Sequence, residues 1–349
     1  MTSPIDTEAL VIGAGPVGLF QVFQLGLQGI HAHVIDALPH VGGQCAELYA
    51  GKPIYDIPGI PFCTGHELVE RLQQQIAPFK PTLHLGQQVS HIERQADQRL
   101  HITTSTGQTF LASSVFIAAG VGAFVPRRMV LEGLEAFDGT QVFAEHPAPE
   151  RWAGQHLVVA GDGDAALQTC LDASQGPQAA ASVTLLHRRD QFSAAPELIA
   201  QMRQACAEGR MRFVAGQPTG LRADPTNHPG RLQALELLNP QGEAEWLNLD
   251  VLQTCLGLSP KLGPVAQWGL AMERKQLVVN TENFATSEPG IFAVGDINTY
   301  PGKKKLILCG FHEATLAAFG AVALLRPTEK TLLQYTTTST LLHQRLGIA

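Results

Sequence analysis

EALVIGAGPVGLFQVFQLGLQGIHAHVID, residues 8–36, decides the fold. It reads as an apolar strand, a glycine turn, an apolar helix and a second strand. Ala9 to Ile12 run into Gly13, and Gly13, Gly15 and Gly18 follow in the order G-x-G-x-x-G. In that order Gly13 permits the turn, Gly15 lets the main chain approach a pyrophosphate, and Gly18 lets helix and strand pack closely. The amides that open the helix then face the anion. The next apolar run, His31 to Ile35, ends in Asp36, about 20 residues beyond the first glycine, where an acid that accepts hydrogen bonds from ribose hydroxyls is expected.

A second copy begins at His156. The run His156 to Ala160 leads into Gly161-Asp162-Gly163-Asp164-Ala165-Ala166, which is G-x-G-x-x-A, and then into a helical stretch with Leu167, Cys170 and Leu171. Its following strand, Ser182 to Leu186, ends in His187-Arg188-Arg189 instead of an acid. Guanidinium groups give a 2′-phosphate fixed, bidentate donors, whereas a carboxylate repels it. Gly161 and Gly163 are therefore candidate pyrophosphate positions, and Arg188 and Arg189 predict NADPH over NADH.

The length of 349 residues suits two domains. With 45% apolar and 16% charged residues, the chain has an ordinary globular composition. A net charge of -7 argues against broad nucleic-acid binding, which needs a basic face. The N-terminus lacks a basic stretch followed by an apolar run, and no stretch approaches about 18 uninterrupted apolar residues. The expectation is a cytoplasmic protein without a membrane span. Phe116 to Gly120 and Val251 to Gly257 read as strands that return beside each glycine turn. Gly290 to Asp296 reads as another strand, ahead of a helix-like stretch from about Glu313 to Leu325. The fold class is α/β with two Rossmann-like dinucleotide-binding domains: residues 1–117 and 290–349 form one, and residues 120–285 form another inserted into it. Hinges are expected near Gly120 and Glu288.

VIGAGPVGLF, GGQCAELYAGKPIYDIPG, AAGVGAF, HRRDQF, GDINTYPGKKKLILCGFHEA and the tail YTTTST together resemble the thioredoxin-reductase-like ferredoxin (flavodoxin) NADP reductases over nearly the whole chain. The resemblance implies FAD in the discontinuous domain, NADPH in the inserted one, ferredoxin or flavodoxin as partner, and a homodimer. It implies that Asp36 holds the adenosine ribose, Gln44 touches the flavin side, Tyr49 stacks on the ring and Val89 lies at the adenine. It further implies that Phe124 lies by the flavin near the hinge, Asp296 holds the ribityl or pyrophosphate region, and a tail hydroxyl of Thr337 or Thr340 approaches the flavin. Tyr335 is the candidate for the opposite flavin face. The sequence departs from the family pattern at Asp162 and Ala165, positions that tolerate both residues, and at Ser193, where the family often has an arginine; the loss of that arginine points to a milder NADPH preference.

The cysteines, Cys45, Cys63, Cys170, Cys206, Cys255 and Cys309, are scattered, without C-x-x-C or zinc-site spacing. A disulfide reductase needs a close pair beside the flavin. Electrons are thus expected to leave the flavin directly, for a one-electron carrier, a quinone or oxygen. Lys303-Lys304-Lys305 follow the Gly295-Asp296 segment and are expected to steer an acidic carrier if exposed. A small-acceptor oxidoreductase and a flavin or nucleotide redox sensor remain the rival readings.

Overall fold

Ala9, Leu10 and Val11 are fully buried because the strand Ile5–Ile12 lies between two parallel neighbours in the interior of its sheet. A computed structural model describes residues 3–144, 149–224, 230–329 and 332–348. The chain divides into two compact units, residues 1–123 with 260–349, and residues 124–259.

The first unit is built on a seven-stranded sheet in the order Thr82–His84, Ala32–Ile35, Ile5–Ile12, Thr109–Ile117, Leu100–Thr104, Val89–Arg94, with Ile291–Ala293 beside Thr109–Ile117. Ile12 pairs in parallel with both Ile35 and Ile117, and Ile117 with Ala293. Four parallel strands therefore end level, and the segments after Ile12, Ile35, Ile117 and Ala293 leave from one edge. The strand Leu100–Thr104 pairs antiparallel with the earlier part of Thr109–Ile117, Val89–Arg94 pairs antiparallel with Leu100–Thr104, and both leave that edge clear.

The helix Pro16–Leu27 packs against Gly65–Ile76 and Ile307–Leu325. Gly65–Ile76 starts with a capping box, Thr64 and Glu67 each satisfying the other's main-chain amide. Ile307–Leu325 is long and apolar enough to cross a membrane by length and composition, and it begins before the expected Glu313. Here Ala314, Ala317, Ala318 and Ala321 are fully buried along it, so small side chains let it approach its neighbours closely.

In the second unit, Val142–Phe143, Val251–Cys255, His156–Gly161, Ser182–His187 and Arg212–Ala215 form a five-stranded parallel sheet in that order. The helices Asp164–Ala173 and Pro196–Ala207 pack against each other. A separate antiparallel sheet, Gln217–Ala223, Leu232–Leu238 and Ala244–Asn248, buries Leu232, Leu235, Leu237 and Leu247 in a core shared with Val158 and Leu252.

One boundary differs from the sequence expectation. The chain returns to the first unit at 259/260, well before residue 285. Val265, Leu270, Leu277, Val279 and Phe284 are buried in the same core as Leu10 and Phe116, and this burial sets the boundary. Glu288 therefore lies inside the first unit and is not a crossing point.

Candidate functional site

Each unit carries a glycine turn at the C-terminal edge of its own parallel sheet, the edge where open α/β sheets bind ligands. In the first unit Gly13 has φ +110° and donates its amide to the Ile35 carbonyl at 2.8 Å. A Cβ on Gly13 would stand 2.4 Å from the Ala118 carbonyl oxygen, and one on Gly18 would stand 1.8 Å from the Gly13 carbonyl oxygen. Both glycines are thus demanded by the protein's own packing.

Gly15 differs. A Cβ there would meet nothing nearer than the Gly43 Cα at 4.0 Å, and its φ of -71° is open to any residue. Gly15 caps the helix Pro16–Leu27, whose N-terminus has no side-chain cap. Gly42 donates its amide to the Ala14 carbonyl at 2.9 Å, holding a second glycine loop against the first. The open space at Gly15 and the uncapped helix start make a cradle that fits a pyrophosphate.

Asp36 ties this mouth together. Its carboxylate accepts from the Ala14 amide at 2.6 Å and from the Leu38 amide at 2.8 Å, which leaves lone pairs on both oxygens for ribose hydroxyls. Burial raises its pKa, and the two amide bonds act against that shift. The Asp36 carbonyl accepts from the Gln87 amide at 3.0 Å, which brings the segment leading to Val89 alongside. Val89 is buried at 2% exposure, so only its main chain can meet a ligand.

Gln44 and Tyr49 stand at the same edge. A Cβ on Gly120 would lie 3.2 Å from the Gln44 Nε2, so the Gln44 amide sits beside the loop that follows Thr109–Ile117. The half-buried Tyr49 hydroxyl has its pKa pushed up by burial first, then by the neighbouring Cys45, and then by the charge of Asp296. Tyr49 therefore lies within electrostatic reach of Cys45 and Asp296. Beside Tyr49 opens a cavity of about 460 Å³ lined by Lys52, Pro53, Ile54, Tyr55 and Asp56.

The tail goes elsewhere. Tyr335, Thr337 and Thr340 are all exposed, Tyr335 at 64%. Ser339 caps the short helix Thr340–Leu346, which is anchored by buried Leu342 and by Arg345 donating to the Leu27 carbonyl. That anchor lies at the C-terminal end of Pro16–Leu27, about 18 Å along its axis from Gly15. The structure does not bring these three residues to the glycine mouth of their own chain. Phe124 falls in the strand Ala123–Pro126, and its side chain lies outside the described residues.

Lys303 also corrects the sequence reading. Its side chain is 7% exposed and pairs with the fully buried Glu313, so it is no steering charge; Lys304 and Lys305 are exposed. Sequence reasoning missed Glu313 and its partners Asn298 and Tyr300. The available signal was an acid inside an apolar helical run, since buried glutamates are almost always paired.

In the second unit Gly161 would place a Cβ 2.4 Å from the Cys255 carbonyl oxygen, while Gly163 caps Asp164–Ala173 and would place one 3.7 Å from the Ser193 Oγ. Ser193 is held there by its amide bonding to the Asp162 carbonyl at 2.9 Å. Arg188 and Arg189 are exposed at the end of Ser182–His187, and neither guanidinium pairs with a carboxylate among the described residues. Nearby Arg203 is engaged, by Asp190 and by the ring of Phe192 at 5.3 Å. Two uncommitted guanidinium groups at the strand end and an uncapped helix at the turn fit a phosphorylated dinucleotide.

All six cysteines are free. Burial pushes the Cys45 thiol up to about 11 and the fully buried Cys170 thiol well above its usual range. Neither thiol is a ready thiolate for disulfide exchange.

The sequence matches the pyridine nucleotide-disulphide oxidoreductase family over residues 7–315. It is 59% identical over 350 residues to a ferredoxin–NADP reductase of Paracidovorax citrulli, covering 99% of this chain and 97% of that one. To a ferredoxin–NADP reductase of an Acidovorax species it is 60% identical over 351 residues, with the same coverage. Among solved structures, the bacillithiol disulfide reductase of Staphylococcus aureus aligns with a TM-score of 0.60 at 16% identity, over 91% of this chain and 99% of that one. The thioredoxin reductase of Lactococcus lactis aligns with a TM-score of 0.55 at 22% identity, with the same coverage.

Proposed function

The chain belongs to the pyridine nucleotide-disulphide oxidoreductase family, and on that premise we propose that it passes electrons from NADPH through FAD to ferredoxin. The observation that carries the proposal is the contrast between the two glycine mouths, Asp36 at one and the uncommitted Arg188 and Arg189 at the other. FAD, when bound, accepts two electrons as a hydride and releases them singly.

The chain's own residues bind, orient and shield. The Gly13–Gly18 turn and the Pro16–Leu27 helix start supply amides to the FAD pyrophosphate, and Asp36 supplies acceptors to its ribose. Gln44, Tyr49 and Asp296 line the flavin end, where burial pushes the pKa of the Tyr49 hydroxyl further above its ordinary value and leaves it a hydrogen-bond donor. The Gly161–Gly163 turn holds the NADPH pyrophosphate, and Arg188 and Arg189 hold its 2′-phosphate. The buried, protonated thiols of Cys45 and Cys170 support direct transfer to the carrier without a disulfide relay.

The proposal extends to flavodoxin as an alternative carrier and to a cytoplasmic homodimer. Six unpaired cysteines support a reducing compartment, and the exposed apolar tail residues Leu332, Leu333 and Ile348 support self-association, which sedimentation tests. The cavity beside Tyr49 favours a second reading, in which a small planar acceptor such as a quinone takes the electrons. Stopped-flow bleaching of the flavin by NADPH or NADH, followed by oxidised ferredoxin or a soluble quinone, decides between them. Fast bleaching by NADPH with rapid reoxidation by ferredoxin is expected. Reoxidation by the quinone alone moves the acceptor, and slow turnover with every acceptor favours a redox sensor.

A further inference from the structure

Gly295 is held by both of its main-chain polar groups. Its amide donates to Glu313 Oε2 at 2.7 Å, and its carbonyl accepts from Lys303 Nζ at 2.9 Å. Glu313 and Lys303 also pair directly with each other. Glu313 is 0% exposed, and its carboxylate further accepts from Asn298 Nδ2 at 2.8 Å and from the Tyr300 hydroxyl at 2.9 Å. The Asn298 amide in turn donates to the Ala293 carbonyl at 2.8 Å. Every one of these partners lies within the segment 293–303 or at Glu313 itself.

The left-handed backbone of Gly295, φ +81°, turns the chain from the strand Ile291–Ala293 towards Asp296. Close packing reinforces the turn, since a Cβ on Gly310 would stand 2.4 Å from a Val17 methyl and 3.4 Å from the Gly295 Cα. Gly310 lies one turn of helix before Glu313. The uncapped start of Ile307–Leu325 is thereby held against the same turn as Asp296.

We propose that the buried Glu313–Lys303 pair is a positioning device for FAD: by clamping the Gly295 peptide it sets where Asp296 and the N-terminus of Ile307–Leu325 meet the cofactor. The inference rests on the reading that this edge of the first unit binds FAD. A buried ion pair is weak evidence of stabilisation in itself, because replacing both partners by neutral side chains of similar shape often costs nothing. What the pair supplies here is direction. A carboxylate can bind amide, amide side chain, hydroxyl and ammonium at once, and no apolar pair can reproduce that set.

The test separates positioning from folding. Flavin-free protein is prepared as wild type, Lys303→Arg, Glu313→Gln and Lys303→Met/Glu313→Gln, and each is melted and then titrated with FAD by fluorescence quenching. Glu313→Gln alone leaves a buried ammonium unpaired and is expected to melt early. The double variant is expected to melt near wild type yet bind FAD about 10- to 100-fold more weakly, the loss that follows from charge-assisted bonds that no longer hold the site. Lys303→Arg, which keeps the charge, is expected to regain most of the affinity. A double variant that melts like wild type and binds FAD within about twofold of it overturns the proposal. Should the double variant not fold, Tyr300→Phe removes one bond to Glu313 without stranding a charge; weaker FAD binding at unchanged melting supports the proposal, and unchanged binding overturns it. Wild type that binds no FAD sinks the cofactor reading itself, a result distinct from all of these.

Discussion

Gly18 lies so close above Gly13 that a Cβ on Gly18 would stand 1.8 Å from the Gly13 carbonyl oxygen, whereas Gly15, between them, has its Cβ position open to 4.0 Å. The two glycines serve different ends. Gly18→Ala is expected to destabilise the protein by about 1–3 kcal/mol or more, the usual cost of forcing atoms into a packed interior. Gly15→Ala is expected to cost about 1 kcal/mol at most in melting, as a poorer helix cap, while weakening FAD binding at least tenfold, about the effect of blocking one anion contact. Thermal melting of the flavin-free variants and FAD titration check both, and equal behaviour of the two variants would contradict the assignment.

Among the described residues Arg188 and Arg189 have no competing carboxylate to leave, so their removal should act on the nucleotide alone. Arg188→Ala/Arg189→Ala is expected to raise the KM for NADPH by about tenfold or more and to leave that for NADH nearly unchanged. A parallel rise for both nucleotides would place the arginines elsewhere than at the 2′-phosphate.

Lys303 must be excluded from any carrier-docking test, because changing it strands Glu313. Lys304→Ser/Lys305→Ser keeps that pair and removes two exposed charges. We expect slower ferredoxin-dependent cytochrome reduction, with a shallower salt dependence, and unchanged ferricyanide reduction. Equal loss in the two assays refutes steering by these residues.

His33 Nδ1 and His84 Nε2 are 2.9 Å apart, so one ring donates and the other accepts, and the two facing nitrogens cannot both carry a proton. The pKa of His33 is lowered by burial first and then by His84 and His31; that of His84 is lowered by burial. A histidine whose folded pKa lies below its unfolded value contributes fully above the unfolded value, near 6.5, and loses that contribution as pH falls through the folded pKa. Melting temperature is therefore expected to decline below about pH 6.5, and His33→Phe/His84→Phe to flatten that decline. An unchanged slope in the double variant would assign the acid sensitivity to other groups.

Because Cys45 and Cys170 are held protonated by burial, alkylation of the folded protein at neutral pH is expected to leave electron transfer to ferredoxin intact. Loss of that activity, in step with labelling of Cys45, would reinstate a thiol relay.

The sequence determined the two glycine turns, the acid at Asp36 and the arginine pair, because each depends on spacing within a single strand-turn-helix unit. The α/β class and the discontinuous order of the segments followed from where those units repeat. The return of the chain at 259/260 was not legible, because it depends on Val265, Leu277 and Phe284 burying themselves in a core whose other half lies far away in sequence. The tail shows the same limit: whether Tyr335 and Thr337 face a flavin depends on where Leu342 and Arg345 anchor the helix that follows, and only the tertiary packing on Pro16–Leu27 decides that. Lys303, Lys304 and Lys305 look alike in a one-dimensional string. What separates the first from the other two is Glu313, ten residues on and on a different element, close enough to hold one lysine and out of reach of its neighbours.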